Sequence, residues 1–374
     1  MYSDADHGLM SRALELARNG LFSTTPNPRV GCVIVRDGEI IGEGWHRRTG
    51  EPHAEILALA QAGERARGAT VYVTLEPCSH QGRTPPCTDL LIESRVARVI
   101  AAMEDPNPLV NGQGLEKLRA AGIDVRCGLM ALEAEALNVG FVSRMTRGRP
   151  WVRLKVATSL DGITALPDGR SKWITSEEAR ADGHRWRARA CAILTGIGTV
   201  KTDNPCMTVR SIPTSRQPAK VLIDSRLDVN PAAELFRDAR VLVIHALPDA
   251  AVDAGRRGRL EDAGCELVSL PNREGKVDLA AAMRELGRRE YNEIHVEAGA
   301  KLNGSLIRSD CVDEVLVYLA PSLIGQGLPT FSLPLLDDLE QRIRLRWLDF
   351  GRVGDDLRLR ALVVRRDPAR AATV

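Results

Sequence analysis

Aromatic residues make up only 4% of this 374-residue chain, and neither sign of charge prevails, with 51 Lys and Arg against 49 Asp and Glu. A nucleic-acid-binding face calls for a basic field interleaved with aromatic side chains, so nucleic acid is not an expected partner. No apolar run approaches the ~18 residues that a membrane span requires. The opening Met1-Tyr2-Ser3-Asp4-Ala5-Asp6 is polar and acidic, unlike a secretory signal, and a cytoplasmic location is expected. The eight cysteines are scattered, which fits reduced thiols better than a disulfide framework. Pro-Asn-Pro occurs twice, at 26–28 and 106–108, but no period is sustained, which excludes a repeat architecture.

What is present is length enough for two domains and apolar residues, at 44%, enough to furnish their cores. Leu9, Met10, Ala13, Leu14 and Ala17 recur at helical spacing and predict an opening amphipathic helix. Residues 30–35 and 40–45 flank Asp37-Gly38, a pair suited to a type I′ hairpin turn. Pro52 is placed to start a helix towards Ala62, with Gly63 as its stop. The β-branched stretch 70–74 predicts a strand delivering Glu76-Pro77-Cys78 at its end, and Cys87 opens a helix through Glu93. Strand 98–102, helix 115–121, strand 123–127 and helix 131–138 continue the alternation. The charged run Arg144-Met145-Thr146-Arg147-Gly148-Arg149-Pro150 reads as a solvated linker, dividing the chain into 1–147 and 148–374. Beyond it, a strand is expected at 151–157, with buried strands at 192–194, 221–223, 241–244 and 294–296. Helices are expected at 177–188 and 279–289, later strands at 315–319, 345–348 and 357–363, and a frayed tail at 367–374. The class is α/β throughout.

The chemistry concentrates at His53-Ala54-Glu55, Pro77-Cys78 and Cys87. One imidazole and two thiolates suit a single zinc ion, and three protein ligands leave a fourth position open, as in catalytic sites. Glu55 falls where it can move protons without binding the metal, the arrangement used by zinc deaminases. Eight residues, 79–86, separate the cysteines instead of the two in the common deaminase signature. A structural site closed by a fourth ligand such as His80 is the competing reading. In the second half, Glu297-Ala298-Gly299-Ala300-Lys301-Leu302-Asn303-Gly304-Ser305 follows a strand and opens a helix, a setting in which backbone N–H groups can approach a pyrophosphate. It lacks the Rossmann spacing and any acid about 20 residues onward, so nothing marks an NAD preference.

With these residues in view, the chain resembles the bifunctional deaminase/reductase family of riboflavin biosynthesis over nearly its whole length. The resemblance rests on Thr25-Pro26-Asn27-Pro28-Arg29-Val30-Gly31-Cys32, Gly50-Glu51-Pro52-His53-Ala54-Glu55, and Thr74-Leu75-Glu76-Pro77-Cys78-Ser79-His80 running on through Gly82-Arg83-Thr84-Pro85-Pro86-Cys87. In the second half it rests on Ser159-Leu160-Asp161-Gly162, Trp173-Ile174-Thr175 and Val296-Glu297-Ala298-Gly299. The wide cysteine gap is that family's own. It implies a cytidine-deaminase-like α/β/α domain followed by a dihydrofolate-reductase-like α/β domain, as a homodimer or higher homo-oligomer. It also implies zinc-dependent deamination of 2,5-diamino-6-(5-phosphoribosylamino)pyrimidin-4(3H)-one, then NADPH-dependent reduction of the ribosyl group of 5-amino-6-(5-phosphoribosylamino)uracil. By motif, Asn27, His46, His80 and Arg83 surround the first substrate. Ala157, Trp173, Thr199, Asp203, Ser225 and Gly299, Ala300, Lys301, Leu302, Asn303, Gly304 and Ser305 contact NADPH. Lys155, Ser171, Arg187, Met207, Arg210 and Glu297 contact the second substrate, with Arg187 and Arg210 as phosphate clamps and Lys155 and Asp203 as proton-handling groups. His7, His184, His245 and His295 lack such context and read as structural or surface residues. An RNA-editing-type deaminase with an appended domain would need a basic, aromatic-bearing channel that is not evident. A non-enzymatic zinc-stabilised nucleotide sensor would have no use for Glu55.

Overall fold

The computed structural model describes residues 2–79, 86–108, 110–237 and 239–365. The chain forms two compact units, Met1–Gly148 and Arg149–Val374.

In the first unit the order is α1 (Asp4–Arg18), β1 (Gly31–Arg36), β2 (Glu39–Trp45), α2 (Ala54–Ala62), β3 (Thr70–Val73) and α3 (Cys87–Glu93). β4 (Arg98–Ala101), α4 (Gln113–Ala120), β5 (Asp124–Cys127), α5 (Ala131–Leu137) and α6 (Val139–Arg147) complete it. The sheet runs β2-β1-β3-β4-β5, antiparallel around β1 and parallel from β3 to β5. Strand alternation places Cys32 and Ile34 of β1 with Ala54 and Ala58 of α2, Leu91 of α3 and Leu115 of α4. Val33 and Val35 face the other way, onto Met10, Ala13 and Leu14 of α1 and Ala134 of α5. The unit is therefore a three-layer α/β/α sandwich. Asp37 and Gly38 both take positive φ, 51° and 82°, as a type I′ turn requires.

The residues read as a linker differ from expectation. α6 continues to Arg147 and stops at Gly148 in the left-handed region. Phe141 and Ser143 are buried on its inner face, and Arg147 turns back to donate to Ser143 Oγ. The charge run thus hides an amphipathic helix. Arg149 is not a solvated charge either, since it pairs with the buried Asp313 at 2.7 Å.

The second unit contains β6 (Trp151–Ser159), β7 (Ile163–Ala165), α7 (Glu177–Arg189), β8 (Ala192–Gly196), α8 (Ile197–Asp203) and β9 (Ala219–Ile223). β10 (Val241–His245), α9 (Ala254–Asp262), β11 (Cys265–Ser269), α10 (Leu279–Arg288), β12 (Glu293–Val296) and α11 (Ala300–Arg308) follow. β13 (Glu314–Ala320), β14 (Leu328–Pro329), β15 (Leu345–Val353) and β16 (Asp356–Val363) end it. Nine strands form one sheet, β11-β10-β9-β8-β12-β6-β13-β16-β15, parallel up to β13 and antiparallel at the last two. One face packs Leu154 and Val156 against Met283 and Leu286 of α10 and Leu306 of α11. The other packs Ile193, Leu222 and Val243 against Val200 of α8 and Leu260 of α9. Under α7 the core is ionic: Arg153, fully buried, meets Glu293 at 3.1 Å and Glu314 at 2.9 Å, and Arg360 reaches Glu314 at 2.7 Å. The Trp186 ring lies 4.5 Å from the Arg153 guanidinium and 4.8 Å from that of Arg360.

Candidate active sites

The first site forms where α2 and α3 begin beside the ends of β2 and β3. α2 can lie directly on β2 because Gly42 and Gly44 leave room; a Cβ at either would stand 2.2 Å from a carbonyl oxygen of Ala58 or Ala54. That contact sets His53 at the N-cap of α2 and Glu55 in its first turn. Cys78 follows β3, and Cys87 is the first residue of α3. His53 Nδ1 lies 3.3 Å from Cys87 Sγ and 3.6 Å from Cys78 Sγ, and all three donor atoms fall within 4.8 Å of one another. A tetrahedral zinc ion at ~2.0–2.1 Å from nitrogen and ~2.3 Å from sulfur spans N···S edges of about 3.5 Å, so the donor set is already spaced for the metal. Cys87 donates to Cys78, from its thiol and from its backbone N–H at 3.3 Å, which pushes the Cys78 thiol down.

Glu55 is 3% exposed, and burial pushes its carboxyl up, with Cys78 adding to the effect and His53 opposing it. It stands beside the ligand set without joining it. Asn27 Nδ2 lies 3.1 Å from His46 Nε2, and His46 Nδ1 lies 3.2 Å from Pro52 O. A carbonyl can only accept, so Nδ1 carries the His46 proton and Nε2 accepts from the amide. His46, expected to touch substrate, therefore has both ring nitrogens engaged by the protein. The bond holds the Asn27 amide with Nδ2 towards His46. His80 and Arg83 lie outside the described residues.

Glu76 was not foreseen as a site residue. Its carboxylate is buried and accepts four backbone N–H groups, from Asp105 (3.0 Å), Gly112 (2.9 Å), Gly114 (2.7 Å) and Leu115 (3.3 Å). It closes the N-terminus of α4 and ties that helix to the strand end that presents Cys78. The motif quoting Glu76 was visible in the sequence, but its partners stand 29 to 39 residues away.

The second site gathers at the carboxyl ends of parallel strands, where open α/β sheets bind ligands. Lys155 and Ala157 project from β6, Thr199 and Asp203 lie on α8 after β8, Ser225 follows β9, and Glu297 follows β12. Arg187 of α7 ties two further segments to its helix: it holds Glu297 through two bonds (2.5 and 2.8 Å) and the carbonyl of Thr208, beside the buried Met207, at 2.8 Å. Arg187 was expected as a phosphate clamp; its Nε and Nη2 are held by Glu297 and its Nη1 by Thr208 O, while Arg210, the other expected clamp, is exposed. Burial pushes Lys155 down, against the pull of Glu297. Trp173 is exposed, with the Arg180 guanidinium 4.4 Å over its ring, and Ser171 lies half-buried just before it. Ser225 Oγ accepts from the Val277 N–H at 3.3 Å.

Gly299 caps α11, and the N–H groups of Ala300, Lys301 and Leu302 form its first turn, where an intrahelical acceptor is lacking. The cradle ends there, because Asn303 N–H already bonds Gly299 O. At Gly304 a Cβ would stand 2.0 Å from Ser332 O, so packing by itself already demands glycine there. Asn303 is likewise buried, donating to Thr330 O, and Ser305 Oγ bonds back to Lys301 O.

The two units define the class: a zinc-binding deaminase joined to a reductase of the pyridine-nucleotide type. The family of the cytidine and deoxycytidylate deaminase zinc-binding region matches residues 3–103, and that of the RibD C-terminal domain matches residues 150–359. The riboflavin biosynthesis protein RibD of Escherichia coli is 46% identical over 367 residues, covering 94% of this chain and 98% of the relative. Its counterpart in Haemophilus influenzae is 45% identical, covering 96% and 97%. The solved structure of Acinetobacter baumannii RibD superposes with a TM-score of 0.89 at 40% identity, covering 96% of this chain and 99% of that one. That of a Thermotoga maritima diaminohydroxyphosphoribosylaminopyrimidine deaminase/5-amino-6-(5-phosphoribosylamino)uracil reductase does so at 0.85 and 35%, with the same coverage. The chain belongs to the RibD family, the bifunctional deaminase/reductases of riboflavin biosynthesis.

Proposed function

We propose that residues 1–147 deaminate 2,5-diamino-6-(5-phosphoribosylamino)pyrimidin-4(3H)-one and that residues 148–374 reduce 5-amino-6-(5-phosphoribosylamino)uracil with NADPH. The carrying observation is the pairing of a three-ligand zinc set with a buried, non-ligating Glu55. His53, Cys78 and Cys87 would hold the ion, one per chain, and zinc when bound would lower the pKa of water towards neutrality. Glu55 takes a proton from the attacking water, passes one to the ring nitrogen and then assists the departure of ammonia. Asn27, held by a neutral His46, accepts from the pyrimidine edge through Oδ1.

In the reductase unit NADPH supplies the hydride to C1′ of the ribosylamino group. The first turn of α11 would hold the pyrophosphate, and Ser225-Arg226 just after β9 would seat the 2′-phosphate. Arg187 keeps Glu297 ionised and aimed at the substrate: burial pushes that carboxyl up, but Arg187 outweighs it and holds it well below the usual range. Lys155 and Asp203 are the candidate groups to handle the proton. A homodimer or higher oligomer is supported by β15, a nine-residue edge strand on which Leu345, Trp347 and Phe350 are exposed. No helix among the described residues is long and apolar enough to cross a membrane, which agrees with a cytoplasmic enzyme on a small-molecule substrate. The near balance of charge gives nucleic acid no field.

Purified protein incubated with the diaminopyrimidine nucleotide tests this reading. Ammonia should appear without NADPH, and NADPH should be consumed only after that. NADPH oxidation that precedes or replaces ammonia release would overturn the order of steps.

A further inference from the structure

His184 read as a structural or surface histidine in the sequence, yet its surroundings are those of an anion site. It lies on α7 one turn before Arg187, and its Nδ1 accepts from the backbone N–H of Arg210 at 3.4 Å. The acceptor role places the ring proton on Nε2, a donor that no described residue takes up. The charged groups around the imidazole are Arg187 on its own helix, Arg210 after α8, Lys155 on β6 and Glu297 after β12. Glu297 is already paired with Arg187 and approached at 3.2 Å by Nε2 of His295, so its charge is spent locally. Glu297 also acts on Lys155, so among these groups the cation left without a carboxylate is Arg210, which is exposed. A phosphate monoester carries about −1.5 to −2 charges at neutral pH and offers oxygens that only accept.

We propose that His184 is a further substrate-binding residue of the reductase unit, a neutral imidazole that donates Nε2–H to the substrate's phosphate while the Arg210 backbone holds its tautomer. This rests on the reading that Arg187, Arg210 and Glu297 line the substrate pocket. The backbone bond links the two phosphate-facing groups: Arg210 supplies charge, and its own N–H sets the direction of the His184 donor. A protonated ring would turn a second N–H against the Arg210 N–H, so the bond selects the neutral form. Burial, then Arg187 and Arg210, push the imidazole down to about 4, which keeps it neutral across physiological pH. A neutral donor suits a site already rich in cations, because it adds direction without adding charge.

The test compares His184→Gln with His184→Leu in the full-length protein. Gln can accept from the Arg210 N–H and donate onward, whereas Leu fills the space and does neither. The readouts are kcat and KM for 5-amino-6-(5-phosphoribosylamino)uracil, and inhibition by ribose 5-phosphate and by ribose. His184→Leu should raise KM and the ribose 5-phosphate inhibition constant together, about tenfold, the loss expected for one hydrogen bond to a charged group. Inhibition by ribose and the KM for NADPH should not move, and His184→Gln should recover most of the loss. In wild type, substrate KM should show no inflection from this histidine between pH 5.5 and 8. Equal weakening of ribose and ribose 5-phosphate, or a Gln variant as poor as Leu, would overturn the proposal. Arg210→Ala separates the two levels. If it weakens ribose 5-phosphate while His184→Leu does not, the pocket stands and His184 is excluded from it. If neither variant affects ribose 5-phosphate, the pocket assignment fails and the proposal with it.

Discussion

Glu76→Gln should destabilise the deaminase unit while sparing the reductase. Each carboxylate oxygen of Glu76 accepts two backbone N–H groups, Oε1 those of Gly114 and Leu115 and Oε2 those of Asp105 and Gly112. An amide has one oxygen, so glutamine can satisfy one pair and must set its own N–H₂ against the other. Two donors are then left without an acceptor at the start of α4, and Gly112 at the N-cap offers no side chain in compensation. An unsatisfied buried donor costs ~1–3 kcal/mol, which puts the total for two at about 2–6 kcal/mol. For a unit of this size that corresponds to a fall of roughly 10 °C in the midpoint of unfolding. Room is short as well, since a Cβ at Gly114 would stand 2.1 Å from Pro77 O. The α4 start and the Cys78 loop therefore shift together, and zinc affinity falls with stability. The assay is calorimetry on the full-length variant, with zinc content and ammonia release measured beside NADPH-dependent reduction of pre-deaminated substrate. A first-unit transition within 2 °C of wild type (roughly half of what 1 kcal/mol would produce) and full zinc content would refute the role given to Glu76.

Three further outcomes follow from the same structure. NADPH should be preferred to NADH, and Arg226→Ala should weaken NADPH more than NADH; comparable efficiency with both cofactors would sink the 2′-phosphate seat at Ser225-Arg226. Residues 1–147 alone should release ammonia without NADPH, and a folded, zinc-loaded fragment with no activity would show that the second unit is required. Burial pushes the Glu314 carboxyl up, but Arg153 and Arg360 outweigh it and hold it down at about 2. Its folded pKa lies below its unfolded one, so its contribution is present above pH ~4.3 and lost as pH falls towards 2, on the order of 3 kcal/mol. Thermal melts of the reductase unit should decline across that window, and an equal decline in Glu314→Gln would remove Glu314 as the cause.

The deaminase unit was readable in the sequence because its signals are local. Hydrophobic alternation, Asp37-Gly38 at the hairpin and Gly63 at the end of α2 are short-range features, and each lies where expected. The zinc ligands stood out by residue type and spacing, and they converge in space. What stayed hidden depends on distant partners. Nothing near Arg153 announces that a strand-face arginine is fully buried, because its acids lie 140 and 161 residues further on. His46 matched a substrate position, but its engagement by Pro52 and Asn27 is a matter of tautomer, which no pattern encodes. Gly304 sits in a glycine motif suggestive of phosphate, whereas Ser332 is what demands the missing side chain. The run from 144 to 147 looked like a connector because its arginines outnumber its apolar residues, while the helix draws its buried face from Phe141 and Ser143 upstream.

The assignment of Glu55 as the proton carrier beside a three-ligand zinc site is the claim on which the deaminase mechanism stands. Zinc content measured together with ammonia release in Glu55→Gln tests it most directly. Glutamine keeps the size and polarity of the side chain but cannot take the proton from water. The account predicts full zinc, an intact reductase and deamination slowed by ~10²–10⁴, towards the upper end because one group serves several transfers. Near-wild-type ammonia release from the zinc-loaded variant would contradict it.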